Sequence, residues 1–226
     1  MIERKLNMKK EFWIEKWQEN QTGFHKSVTH PLLIEYIDRL TLNSGDTVFV
    51  PLCGKTLDML WLNEVGFKVI GVELSQIAVE QFFMENNLSY QVENTELFNV
   101  YRYENITIYQ GDFFELTAED LSKVKAVYDR AALIALPDGL IEKYTDKMCQ
   151  ILPSQTKELL ITLELQRTTT DALGPPFSIP DEKVHNLFSQ YNSITLLQEE
   201  DIIDREQGFQ KLGCQYVYER VYLITK

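Results

Sequence analysis

From about residue 45 onward, the hydrophobic positions switch repeatedly between strand and helix spacing. Thr47 to Val50 is a short apolar run preceded by the turn residues Asn43, Ser44, Gly45 and Asp46, and it predicts a buried strand. Leu57, Leu60 and Trp61 then recur at helical spacing, with Gly66 placed to end that helix. Phe67 to Val72 predicts a second strand. Ser75 is a candidate cap for a helix reaching about Asn86, in which Ala78 stacks with Phe82 and Val79 with Phe83. Ile106 to Tyr109 and Lys125 to Tyr128 predict two further strands. Asp138 is the predicted N-cap of a helix whose Ile141, Tyr144, Met148 and Ile151 share a face up to Pro153. Leu159 to Leu163 is the most continuous apolar run and predicts a strand near the sheet centre. Ser193 to Gln198 and Tyr216 to Ile224 give two late strands.

Strands separated by helices argue for right-handed crossovers and a mostly parallel sheet. Between Leu197 and Tyr216 a crossover helix has little room, and Gly208 and Gly213 punctuate the gap, so the last two strands are expected to pair antiparallel. The predicted fold is α/β: a three-layer sandwich around a mostly parallel, seven-stranded sheet with an antiparallel C-terminal strand. This is the Rossmann-like layout of class I methyltransferases, a likeness of fold and not of function. With 226 residues and no repeat or low-complexity linker, the chain is expected to form one domain over residues 1–226. The stretch Arg167 to Pro180, RTTTDALGPPFSIP, is too rich in Pro and Gly for an element, and long ordered loops often carry function.

Charge narrows the partners. There are 34 acidic against 22 basic side chains, a formal net charge of −12, which repels phosphate backbones and argues against nucleic acid. A small neutral or cationic substrate suits that surface better. Cys53, Cys149 and Cys214, and His25, His30 and His185, are scattered at spacings that make neither a disulfide framework nor a metal site, so no metal is expected. The N-terminal MIERKLNMKKEFWIEKW has no apolar signal-peptide core, and no apolar run approaches membrane length. The expectation is a soluble, cytoplasmic monomer.

The candidate chemistry starts at VFVPLCGKTLDM, residues 48–59, where a strand meets a turn and a helix. Gly54-Lys55-Thr56 ends like a phosphate-binding loop, but Phe49 stands where that loop needs its first glycine. A dinucleotide fingerprint fails as well, because Leu52 and Thr56 flank a single Gly54 and would crowd a pyrophosphate. A nicotinamide-linked oxidoreductase is disfavoured for the same reason. A cofactor without phosphate, such as S-adenosylmethionine, needs only one close backbone approach. Glu73, nineteen residues after Gly54 at the end of the second strand, is then a candidate for the ribose hydroxyls, or else a solvated strand-end charge. In YQGDFFEL, residues 109–116, Asp112 and Phe113 either meet an adenine or serve as a turn cap and a core ring. Asp129 and Arg130 end the fourth strand, facing a ligand crevice or forming an internal pair.

Several of these stretches together carry a family likeness. PLCGK (51–55), GVELS (71–75), YDRAALIAL (128–136), GPPFSIP (174–180), WIEKWQENQTGFH (13–25) and ERVYLITK (219–226) resemble the thiopurine S-methyltransferase family, in order, over nearly the whole chain from Phe12. The resemblance implies a degenerate S-adenosylmethionine loop in which Leu52 replaces the usual first glycine. It implies Trp13, Leu52, Glu73, Asp112, Phe113 and Arg130 around the cofactor, and residues 1–30 as an N-terminal helical lid. Trp17 and Phe24 of that lid, the wall Pro175, Pro176 and Phe177, and Arg205 would meet the acceptor. Ala131 stands where the family often has glycine, and Asp112 replaces a small polar residue of some relatives, so only its backbone role carries over. The implied activity is methyl transfer to the sulfur of thiopurines or other aromatic thiols, extended to selenium or tellurium compounds, with no catalytic nucleophile. The alternatives are transfer to halide or small thiols, and a cofactor-binding protein without transfer activity.

Overall fold

The structure, a computed structural model, describes residues 10–167 and 174–226. The predicted loop segment 168–173 and the first nine residues of the lid lie outside the described residues. The chain begins with α1 (Lys10–Gln18) and α2 (Pro31–Tyr36), then β1 (Thr47–Val50), α3 (Asp58–Glu64), β2 (Lys68–Glu73) and α4 (Gln76–Glu85). A hairpin of β3 (Gln91–Asn94) and β4 (Asn99–Tyr103) precedes β5 (Ile106–Gln110). There follow β6 (Val124–Arg130), α5 (Asp138–Ile151), β7 (Lys157–Arg167), α6 (Asp181–Leu187), β8 (Ser193–Asp201), α7 (Gln207–Lys211) and β9 (Cys214–Thr225).

These strands form one sheet in the order β3-β4-β5-β2-β1-β6-β7-β9-β8. β5, β2, β1, β6 and β7 run parallel, and β9 enters antiparallel between β7 and β8. The alternation of strand side chains divides the apolar residues between two faces. Val48, Val50, Ala126 and Tyr128 pack with Leu33 of α2, Met59 of α3 and Phe82 and Phe83 of α4. Phe49, Val127 and Leu160 pack with Tyr144 and Met148 of α5 and Val184 of α6. The result is the expected three-layer α/β sandwich.

Three details depart from the sequence reading. The described residues contain nine strands rather than seven, because β3 and β4 were not foreseen. β3 reads QVEN and is exposed at every position, so it has no apolar alternation to detect. β7 is third from one edge, and β1 is the central strand. β7 is apolar on both faces because helices cover both, not because it is central. Pro137, not Asp138, is the N-cap of α5: the Leu140 and Ile141 amides both donate to the Pro137 carbonyl, at 2.8 and 3.0 Å. Asp138 occupies the first helical turn, where its carboxylate suits the helix dipole and pairs with Lys183 at 2.5 Å.

One buried acid has no structural partner. Glu158, near the start of β7, is buried, and neither of its carboxylate oxygens has a hydrogen bond among the described residues. Burial, reinforced by the nearby Asp129 carboxylate, pushes the Glu158 pKa well above the usual carboxylate range. Glu158 is therefore protonated in the fold and ionised in the unfolded chain once pH exceeds its ordinary value. The unfolded state then binds fewer protons, so this group lowers stability as pH rises. We predict that the Tm of Glu158→Gln gains on that of the wild type progressively from pH 5 to pH 8. Parallel Tm profiles for the two proteins would contradict this protonation state.

Candidate active site

The strand order reverses at β1, with β2 on one side and β6 on the other. Open α/β sheets bind ligands at the carboxyl ends of the strands flanking such a switch point. Here the turn after β1 bends through two left-handed residues, Leu52 at φ 45° and Gly54 at φ 52°. Left-handed backbone is costly for a residue with a Cβ, which marks Leu52 as strained where glycine would not be. The Cys53 amide donates to the Val72 carbonyl at 2.9 Å, tying the turn to β2.

Glu73 makes the second tie. One carboxylate oxygen accepts from the Gly54 amide at 2.8 Å, and the other from the Ser75 amide at 2.7 Å. The Ser75 hydroxyl in turn caps α4 by accepting from the Ala78 amide at 3.3 Å. The Glu73 side chain is buried, not solvated at the strand end. Burial raises its pKa, while the amides of Ser75 and Gly54 act against that rise. Each oxygen uses one acceptor position on the backbone and keeps another, so the chemistry of this carboxylate suits a pair of ligand hydroxyls.

Helix α1 lies across this turn. Trp17 is buried, and a Cβ at position 54 would sit 3.1 Å from its ring. Phe24 presents its ring edgewise to Trp13 and Trp17, with centroids 5.7 and 5.5 Å apart. The buried Lys55 ammonium donates to Glu85 at 2.7 Å and to Gln81 at 3.0 Å, and lies 6.0 Å from the Trp17 ring. At its amino end, α1 is tied to the end of β5 by a 2.5 Å ion pair between Lys10 and Asp112.

The carboxyl end of β5 is built more for packing than the sequence alone indicates. Asp112 caps the short 3-10 turn that follows, accepting from the Phe114 amide at 3.1 Å. The Phe113 ring is buried, 5.2 Å from Phe114 and 4.8 Å from Tyr144. The end of β6 requires a correction. Asp129 does not face the crevice and is not paired with Arg130: it is fully buried, accepts from the Tyr144 hydroxyl at 2.6 Å and from the Leu133 amide at 3.1 Å. The inward face of α5 supplies that phenol, which no local pattern around Asp129 reveals. Arg130 donates to the Phe24 carbonyl at 3.3 Å, tying the β6 end to the loop after α1. Ala131 follows at φ 68°, again a left-handed residue where glycine would be unstrained.

The wall segment joins the same end. The Phe177 amide donates to the Ile134 carbonyl at 2.7 Å, and the Ser178 hydroxyl accepts from the Leu165 amide at 2.8 Å. Pro176 and Phe177 are thereby held beside the turn that carries Arg130. Arg205 lies further out, donating to Glu219 at 3.0 Å and Glu200 at 3.3 Å. Sequence reading missed Lys10, Lys55 as a lid contact, and Glu219. Glu219 is buried between Val217 and Val221 on β9, so strict period-two reading would have placed it inward. Lys10 carries no such signal. Among the described residues, no group of three or more His, Cys, Asp or Glu is placed to hold a metal ion, and no helix is long and apolar enough to cross a membrane.

Gly54 is the most constrained point of the turn, through both its φ and the Trp17 ring. Gly54→Ala is expected to cost about 1–2 kcal/mol from left-handed strain alone, lowering Tm by roughly 2–8 °C. An unchanged Tm in a thermal melt would contradict this geometry.

Comparison with known proteins agrees with this architecture. The family model described as thiopurine S-methyltransferase matches residues 8–226. A thiopurine S-methyltransferase of Pseudomonas aeruginosa is 40% identical over 219 residues, covering 97% of this chain and 100% of the relative. One from Shewanella woodyi is 41% identical over 223 residues, covering 97% and 99%. Among solved structures, an S-adenosylmethionine-dependent methyltransferase of Anabaena variabilis superposes with a TM-score of 0.61 at 15% identity, over 96% of this chain and 95% of that one. The 1,6-didemethyltoxoflavin-N1-methyltransferase of Burkholderia thailandensis, solved with S-adenosylhomocysteine, gives 0.63 at 11% identity, over 96% and 87%. At those identities the superpositions speak for the fold, and the sequence matches speak for the family. A chain matched by that family model over residues 8–226, and by relatives 40% identical over nearly its full length, belongs to the thiopurine S-methyltransferase family and is an S-adenosylmethionine-dependent methyltransferase.

Proposed function

We propose that the protein transfers a methyl group from S-adenosylmethionine to the sulfur of aromatic thiols, thiopurines among them. The observation that supports this reading is Phe24, whose ring meets Trp17 over the Gly54 turn while its carbonyl accepts from Arg130 at the end of β6. On one side is the turn of Leu52 and Gly54, held by the Glu73 carboxylate. On the other is the Pro176–Phe177 wall, pinned to Ile134 four residues past Arg130.

The protein groups suit this chemistry. Glu73 is pre-oriented by two amides and would accept the ribose hydroxyls. Gly54, without a side chain, would let the cofactor approach the backbone closely, and Leu52 would lie beside it. Trp13 and the Asp112–Phe113 segment would complete the cofactor side. When bound, S-adenosylmethionine supplies a methyl group on a sulfonium that an aligned sulfur nucleophile can displace in line. Trp17, Phe24, Pro176 and Phe177 would exclude water and hold a flat acceptor, and alignment in a dry site provides much of the rate. Arg130, which the resemblance counts with the cofactor residues, would stand where cofactor and acceptor meet and offer its charge to either, and Arg205 would add positive charge on the acceptor side. Aromatic thiols are already partly ionised at neutral pH, so no strong base is required.

Two measurements check this. Incubation with S-adenosylmethionine and a panel of a thiopurine, thiophenol, a small aliphatic thiol, iodide and selenite is expected to methylate the aromatic thiols fastest. Faster turnover of iodide or the aliphatic thiol would favour a different acceptor class, and no transfer to any of them would leave a cofactor binder. Glu73→Ala is expected to weaken S-adenosylhomocysteine binding roughly 10- to 100-fold, the worth of charge-assisted hydrogen bonds, with a change of less than about threefold in acceptor KM. Equal losses on both sides would remove Glu73 from the ribose.

A further inference from the structure

A buried carboxylate that the proposed chemistry does not use lies among the cationic groups of the acceptor side. The register of β9 places Glu219 opposite Leu163 of β7, while Val221 and Arg130 both lie level with Ile161. Glu219 therefore stands one strand step beyond the level of Arg130, under the segment that joins α1 to α2. One of its oxygens accepts from Arg205 at 3.0 Å, and the other is 3.9 Å from the His30 Nε2. His30 opens α2, and its own amide donates to Asp58 at 2.8 Å. Its Nδ1 is buried without a hydrogen bond among the described residues.

The charge state of this group follows from its surroundings. Burial, with the positive charges of Arg130, Lys26 and Arg205, pushes the His30 pKa down to about 4, so the imidazole is neutral at neutral pH. Burial pushes the Glu219 carboxyl up, against the pull of Arg205 and Arg130. With Glu219 ionised, its charge is spent on Arg205, which also meets Glu200 at 3.3 Å. Arg130 is different, since its described bond goes to a neutral carbonyl. Among the described residues Arg130 thus has no carboxylate in direct contact, whereas Arg205 has two.

We infer that Glu219 is a specificity-determining residue, which masks Arg205 and so biases the site against acceptors that carry a negative charge in addition to the reacting sulfur. The inference rests on the acceptor side being where the proposed function places it. Two aromatic thiols of similar size, 4-methylbenzenethiol and 4-mercaptobenzoate, differ by that one charge and make the test direct. At an effective dielectric near 20, removing a unit charge roughly 12 Å away is worth about a factor of ten. For Glu219→Gln the ratio of kcat/KM for 4-mercaptobenzoate over 4-methylbenzenethiol is expected to rise about tenfold, mostly through KM. Glu219→Asp, which keeps the charge, is expected to keep the wild-type ratio, and Arg205→Gln, which bares the Glu219 and Glu200 carboxylates, to lower it.

Calorimetry with S-adenosylhomocysteine separates the outcomes. If the wild type does not bind it, the proposed function fails first. If Glu219→Gln binds it as the wild type does and the ratio is unchanged, the masking role is overturned while the proposed function stands. If Glu219→Gln loses that binding while the wild type keeps it, Glu219 is a structural residue and the inference is likewise overturned. A rise in the ratio with cofactor binding intact supports it.

Discussion

The active end of the molecule depends on the bridge that Glu73 makes between two strand ends. Its carboxylate takes one amide from the β1 turn and one from the start of α4, 2.8 and 2.7 Å away. Buried backbone amides must find acceptors, and this side chain satisfies two of them at once. In doing so it sets the curve of the turn, the entry of α4 and the orientation of its own remaining lone pairs. The left-handed Leu52 and Gly54 persist because this bridge and the Cys53–Val72 bond hold them there. Trp17 then rests on Gly54, and the placement of α1 follows from Trp17.

A second constraint operates at β6. Asp129 spends its charge inward, on the Tyr144 hydroxyl and the Leu133 amide. That fastens the turn bearing Arg130 and Ala131 to the helical layer beneath it. Tyr144 in turn packs against Phe113, so the ends of β5 and β6 share one buried aromatic support. A site assembled from loops gains its precision from such rigid elements. The segment of α1 and the loop after it meets this framework through contacts of different chemistry, among them the Lys10–Asp112 ion pair, the Trp17–Gly54 contact and the Arg130–Phe24 bond.

How far the sequence could be read depended on whether each feature is local. The parallel strands β1, β2, β5, β6 and β7 are short apolar runs with clear breakers, and their periodicity gives them away. The Ser75 cap is local too, since its partner lies three residues on. The β3–β4 hairpin escaped because β3 is solvent-exposed and mostly polar, held by strand pairing and a cross-strand Glu93–Arg102 ion pair. Glu73 could be singled out by its spacing from Gly54, but not its bridging bonds. Asp129 was placed facing a ligand because its true partner, Tyr144, is fifteen residues away on a helix. Glu219 and Arg205 meet only through the return of β9, a long-range pairing with no local trace. The family likeness supplied roles that periodicity cannot, and the structure shows which of those residues actually stand together.

The central claim is that the Glu73-braced turn forms a cofactor site for S-adenosylmethionine and its product. Isothermal calorimetry of the wild-type protein with S-adenosylhomocysteine tests it most directly. The account predicts saturable one-to-one binding in the micromolar range. No detectable heat of binding from a folded sample at millimolar ligand would contradict it.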